Sequence, residues 1–216
     1  MHRPRDTESY VEAAHRRVVI YDGATGTWLQ QQNLTADDFG GPQLEGCNEI
    51  LGITRPDVIE RFHRAYCELG VDVIETNTFG AFSIPLGEYG LADRDREISH
   101  ANAAIARAVA DEYGIWVAGS IGPGTKFASL GQITYDELAH AYHQQCLGLL
   151  DGGVDLFLIE TQFDLLGIKA AVVGIVDFLG HQTVECWANW CLGLIQVSRD
   201  RSGDLGVDDA RRCGGY

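Results

Sequence analysis

Three carboxylates close short hydrophobic runs in this chain. Asp22 follows Val18-Val19-Ile20-Tyr21, Glu75 follows Val71-Asp72-Val73-Ile74, and Glu160 follows Leu156-Phe157-Leu158-Ile159. Such runs, rich in β-branched and large apolar residues, read as buried strands. A strand buried on both faces holds no unpaired charge in its middle, so a carboxylate at its C-terminal lip needs a reason. In a parallel barrel that lip is where sites are built. Acids converging there form a cup for a cationic group, such as the ammonium of a small amine. Backbone amides near Gly23 and Thr76 would then hold an attached carboxylate. Taken singly, each acid also reads as a helix cap or a lysine partner. Asn77, directly after Glu75-Thr76, could fix polar groups of a ligand or merely tie its own loop.

The elements that position these residues follow from period and punctuation. Val73-Ile74-Glu75-Thr76 recurs as Leu158-Ile159-Glu160-Thr161, each time after a Gly-Val-Asp that closes a helical stretch. Strands are expected at residues 18–21, 71–75, 115–119 and 155–160. A helix capped by Thr54, with Pro56 in its first turn, carries Val58, Ile59, Phe62 and Leu69 on one face. Further helices are expected at 93–113, at 135–151 behind a Thr134/Glu137 capping box, and from about Asp164. Residues 30–52 and 76–92 read as long, functional loops. Alternating strand and helix means parallel strands and an α/β class. The near-repeat favours a β/α barrel of TIM type over a doubly wound sheet, since Asp22-Gly23-Ala24-Thr25-Gly26 lacks the dinucleotide glycine spacing. A full barrel needs about 250 residues. This chain has 216, so only the first half, about four units, is expected. The organisation reads as a leader (1–17), a partial barrel (18–174) and a divergent tail (175–216). In the tail, 184–190 and 192–197 could be strands without flanking helices.

Composition narrows the function. A net charge of −15 without a basic stripe argues against nucleic acid. No apolar run approaches the roughly 20 residues of a membrane helix, and the N-terminus lacks a signal-peptide core. Six scattered cysteines fit reduced thiols in a cytoplasmic protein. Gly119-Ser120-Ile121-Gly122-Pro123-Gly124-Thr125-Lys126 has the Walker Lys and Thr in reversed order, so its glycines read as close backbone approach to a ligand. His140 and His143 lie one turn apart but lack a third metal ligand. Cys67 and Cys146 read as packing residues, while Cys186, Cys191 and Cys213 match no zinc spacing. No lysine ends a strand, which weighs against a Schiff-base lyase or aldolase.

Five motifs together carry a likeness. Tyr21-Asp22-Gly23-Ala24-Thr25-Gly26-Thr27, Gly46-Cys47-Asn48-Glu49, Val73-Ile74-Glu75-Thr76-Asn77-Thr78-Phe79, Gly119-Ser120-Ile121-Gly122-Pro123 and Leu158-Ile159-Glu160-Thr161 occur in that order. Over about residues 17–173 the chain resembles the homocysteine S-methyltransferase family, in particular the homocysteine-binding modules of cobalamin-dependent methionine synthases. The resemblance implies a β/α barrel that binds homocysteine at its mouth and methylates the thiol to give methionine. It also implies Asp22 and Glu160 as ammonium ligands, Gly23 as a backbone contact, and Glu75, Thr76 and Asn77 as pocket lining. The family activates the thiol on a zinc held by three late cysteines, one after an Asn and two adjacent. This sequence has neither an Asn-Cys step nor a Cys-Cys pair. Methylcobalamin, or another methyl donor, would come from a separate domain or molecule. A truncated chain, inactive alone, is therefore expected. The alternative is a non-catalytic half-barrel or interaction module, and in either case open sheet edges would promote self-association.

Overall fold

The computed structural model describes residues 4–176 and the backbone of three further strands, Glu185–Trp190, Gly193–Arg199 and Leu205–Asp209. One sheet runs through the molecule in sequence order: β1 (Val73–Glu75), β2 (Trp116–Ile121), β3 (Leu156–Ile159), and the three later strands as β4, β5 and β6. β1 to β4 are parallel, with Glu75 beside Ala118, Ser120 beside Leu158, and Ile159 beside Ala188. β5 and β6 add antiparallel. Helices Pro56–Leu69, Asp95–Tyr113 and Tyr135–Asp151 precede β1, β2 and β3, and Leu165–Val176 follows. The class is α/β, as expected.

Period-2 alternation decides which residues face where. Ile74, Val117, Ile121, Phe157 and Ile159 pack against the four long helices. Val73, Trp116, Ala118, Leu156 and Leu158 form the opposite face. That second face is covered by a helix at Tyr10–Arg16, which places Tyr10 and Ala13 against it and begins with a Ser9/Glu12 capping box. The Tyr10 ring meets Trp116 edge-on at 5.7 Å, and its hydroxyl lies 2.7 Å from that of Tyr21. Residues 1–17, expected as little more than a leader, thus include an element of the main core.

Several elements differ from expectation. The first strand contracts to a bridge between Tyr21 and Val73. Val18 and Ile20 are 82% and 55% exposed, so this edge lacks the burial that would hold a strand straight. Thr54 ends a one-turn helix, Leu51–Thr54, and the residue that caps the next helix is Arg55, whose side chain makes no capping bond. Pro56 takes the first helical position, as its fixed φ favours. The two long connections are built rather than loose. Short helical turns between Ala36 and Thr54 bury Phe39, Ile50 and Leu51 in a cluster shared with Val58, Ile59, Leu86 and Ile98.

The repeated Gly-Val-Asp has one structural meaning in both places. Gly70 and Gly153 take left-handed φ of +85° and +91°, turning the chain out of a helix. Each following Asp locks its strand to the preceding one. Asp72 accepts the Ile20 N–H at 2.9 Å and pairs with Arg17. Asp155 accepts the Val117 N–H at 2.8 Å and pairs with Arg107.

Candidate functional site

The second sheet face continues past its apolar part. Two residues beyond Val73, Ala118 and Leu158, the same side carries Glu75, Ser120 and Glu160. The Tyr10–Arg16 helix packs against the apolar part, and these polar residues line a cavity of about 460 Å³ at the C-terminal ends of the strands. Asp22 enters from the neighbouring bridge, and both its carboxylate oxygens accept the Glu75 N–H at 3.1 Å. Ser120 donates its hydroxyl to Glu160 Oε1 at 2.5 Å.

The cup is strongly acidic. Asp22, Glu49, Glu75 and Glu160 line it, and no Lys, Arg or His does so among the described residues. Burial pushes Asp22 up to about 7 against the hydrogen bond from Glu75 N–H, with the Glu160 charge adding to the rise. Burial, then the charges of Glu160 and Asp22, push Glu75 up to about 9. Such a site favours the arrival of positive charge.

The other expected residues divide. Gly23 lies in the lining, where a Cβ would come 2.9 Å from the Tyr66 hydroxyl and would require that side chain to shift. Thr76 also lines the cavity, but its amide donates to Ala118 O at 2.9 Å. Its hydroxyl lies 2.6 Å from that of Thr78 and accepts the Ser120 N–H. The Thr76 amide is therefore committed to the sheet. Asn77 lines the cavity and also ties its loop: Nδ2 donates to Asn48 O at 2.8 Å and Asn102 Oδ1 at 3.1 Å. The glycine-rich turn after β2 approaches protein rather than ligand. A Cβ on Gly122 would meet Phe79 O at 2.7 Å, and one on Gly124 would meet the Phe82 ring at 2.6 Å.

Two acidic or polar residues were missed from sequence. Ser120 was absorbed into the glycine-rich motif, although its period-2 offset from Ala118 would have placed it beside Glu75 and Glu160. Glu49 sits in the Cys47-Asn48-Glu49 motif, where its carboxylate accepts the Gly80 N–H at 2.9 Å and burial raises its pKa. Its neighbour Cys47 is buried, its thiol pushed up to about 11 by burial and by Glu49. His143 packs its Nδ1 3.0 Å from Gly174 O. Among the described residues no three His, Cys, Asp or Glu side chains are grouped to hold a metal ion. Cys191 and Cys213, and the side chain of Cys186, lie outside the described residues. No described helix is long and apolar enough to cross a membrane.

Comparison with known proteins gives the site its context. A family model described as homocysteine S-methyltransferase matches residues 19–203. Methionine synthase of Mycobacterium tuberculosis is 48% identical, covering 92% of this chain and 18% of the relative. The methionine synthase of Mycobacterium leprae is 52% identical over the same shares. The chain thus spans about a fifth of the length of these relatives. Among solved structures, the oxidized form of the homocysteine methyltransferase MmuM from Escherichia coli superposes with a TM-score of 0.67 at 18% identity. It covers 82% of this chain and 63% of that one. The metallated form gives 0.66, also at 18% identity. These two likenesses concern the fold.

Proposed function

The chain belongs to the homocysteine S-methyltransferase family, and from that premise we propose that it is a homocysteine-binding module whose bound thiol accepts a methyl group to give methionine. The observation that carries this reading is the convergence of Asp22, Glu75 and Glu160 in one cavity that no Lys, Arg or His among the described residues lines. An α-amino acid brings the ammonium that such a cup lacks. In our reading Asp22 and Glu160 take the ammonium, and Glu75 stands behind them. The amino acid's carboxylate meets backbone amides at Gly23 and the start of the Thr25–Gln30 helix, which has no side-chain cap. Asn77 and Glu49 form the wall, and the exposed Phe79 ring closes one side of the lining. We read β1 to β4 as the opening strands of a β/α barrel, which would put this cup at the usual mouth.

The residues described divide the chemistry. They bind and orient the amino-acid end, and they contain no donor set that fits the zinc the family resemblance implies. The described thiols Cys47, Cys67 and Cys146 are buried apart from one another in three different clusters. The methyl donor, methylcobalamin by the same resemblance, would be presented from outside these residues. The deciding experiment is calorimetric titration with L-homocysteine. Saturable binding that weakens in Asp22→Asn and Glu160→Gln supports the reading, and affinity equal in all three proteins refutes it.

A further inference from the structure

Resting on that reading of the site, we propose that Ser120 is a positioning residue: its hydroxyl holds the Glu160 carboxylate turned into the cavity, with one oxygen left for the ligand's ammonium.

The donor is fixed before any ligand arrives. Ser120 lies in β2, 3% exposed, and lines the cavity. Its N–H donates to Thr76 Oγ1 at 3.1 Å, and its carbonyl accepts the Thr78 hydroxyl at 2.8 Å. Gln145 reaches the same place from the Tyr135–Asp151 helix, where it is fully buried. Its Nε2 donates to Thr78 O at 2.7 Å and to Ser120 O at 3.4 Å. The Ser120 backbone is thus gripped by the residues after β1 and by a helix, so its hydroxyl cannot follow a partner that swings away.

The acceptor is a long side chain at the end of the sheet. Glu160 directly follows β3, and its N–H donates to Ile121 O at 3.0 Å. That bond sets its backbone but leaves the side-chain torsions open. Confining such a side chain to one arrangement costs conformational entropy, which a specific contact must offset. The rest of the cup does not provide that contact. Asp22, Glu49 and Glu75 are acids, and no Lys, Arg or His lines the cavity among the described residues. Without a holding bond, the Glu160 charge is better solvated when turned out to water.

The Ser120 hydroxyl supplies the bond, donating to Glu160 Oε1 at 2.5 Å. A hydroxyl bound to an ionised acceptor at this distance belongs to the short, strong class. Glu160 Oε2 has a 3.5 Å contact from the Thr161 hydroxyl on the exposed side, beyond the usual range for two oxygens. Oε2 is therefore the oxygen left to receive an ammonium N–H. The Ser120 bond stands both before and after binding, so its value is preorganisation: the ligand meets a carboxylate that is already aimed.

The test uses the whole chain, calorimetry and L-methionine, which carries the same amino-acid end. Ser120→Ala removes the hydroxyl and keeps both backbone bonds. It should weaken binding about tenfold with an unchanged circular dichroism spectrum. In a Glu160→Ala background the same substitution should change affinity less than about twofold, because no carboxylate is left to position. Equal losses in both backgrounds would mean that Ser120 serves the fold or touches the ligand itself, and would overturn the proposal. Parent affinity in Ser120→Ala would overturn it too, and would leave the binding site standing. A crystal structure of ligand-free Ser120→Ala reads the same point directly. The Glu160 carboxylate should leave its place over β2 and turn to solvent, and an unmoved carboxylate overturns the positioning role. If neither L-methionine nor L-homocysteine binds the unmodified chain, the reading of the site fails and the proposal with it.

Discussion

Replacing Asn102 should loosen the wall of the cavity and the whole fold together. Asn102 is fully buried on the Asp95–Tyr113 helix and makes three side-chain hydrogen bonds. Its Nδ2 donates to Glu49 O at 2.8 Å and Ile98 O at 2.9 Å, and its Oδ1 accepts from Asn77 Nδ2 at 3.1 Å. One side chain thus fastens the loop after β1 to the segment carrying Glu49. In Asn102→Ala the Glu49 carbonyl loses this buried partner and Asn77 loses one of its two acceptors. Three lost bonds cost about 0.5–1.5 kcal/mol net each, while the Glu49 carbonyl keeps the Leu51 N–H, so the expected destabilisation is roughly 2–4 kcal/mol. Asn102→Asp should be at least as harmful, because an acceptor would then face two carbonyl oxygens. Urea unfolding reads this as a lower midpoint at unchanged slope. Homocysteine affinity should weaken in the same variants. A loss below about 0.5 kcal/mol for Asn102→Ala, the scale of an ordinary surface change, would refute the view that these bonds hold the wall.

Other outcomes follow from the same structure. Glu160→Gln should weaken amino-acid binding about 10- to 100-fold, the value of one charge-assisted bond, with an unchanged circular dichroism spectrum. Unchanged affinity would reduce Glu160 to a structural residue. His63 is fully buried and pushed down to about 3 by burial, whereas an unfolded His titrates near 6.5. Its contribution to stability is therefore present above pH 6.5 and lost as pH falls towards 3. A His63→Met variant should lose less melting temperature than the parent between pH 6.5 and 4, and parallel losses would contradict this. Val18, Ile20, Leu130, Phe163 and Leu165 are all at least half exposed, so light scattering should show mass rising with concentration. A constant monomer mass across that range would count against self-association.

What the sequence made legible depended on how local the signal was. The Thr134/Glu137 capping box is complete within four residues, and it stands in the structure as read. The acids at the strand ends were legible because alternation carries a buried face forward to its lip. The first strand was not, because its outcome depended on a neighbour to cover Val18 and Ile20. The place of the Tyr10–Arg16 helix on the sheet is set by contacts with Trp116 and Leu158, distant in sequence. Asn102 escaped notice for the same reason, since its partners Asn77 and Glu49 are brought near only by the packed sheet and helices, whereas Ser120 had a local signal in its alternation with Ala118 that the glycine-rich motif obscured.

The most direct test of the central claim is a crystal structure of the protein with L-homocysteine. The account predicts the amino nitrogen within about 3 Å of carboxylate oxygens of Asp22 and Glu160, with the amino acid's carboxylate turned towards Gly23 and the start of the Thr25–Gln30 helix. An amino acid bound elsewhere, or bound in this cavity with its carboxylate against Glu75 and Glu160, would contradict it.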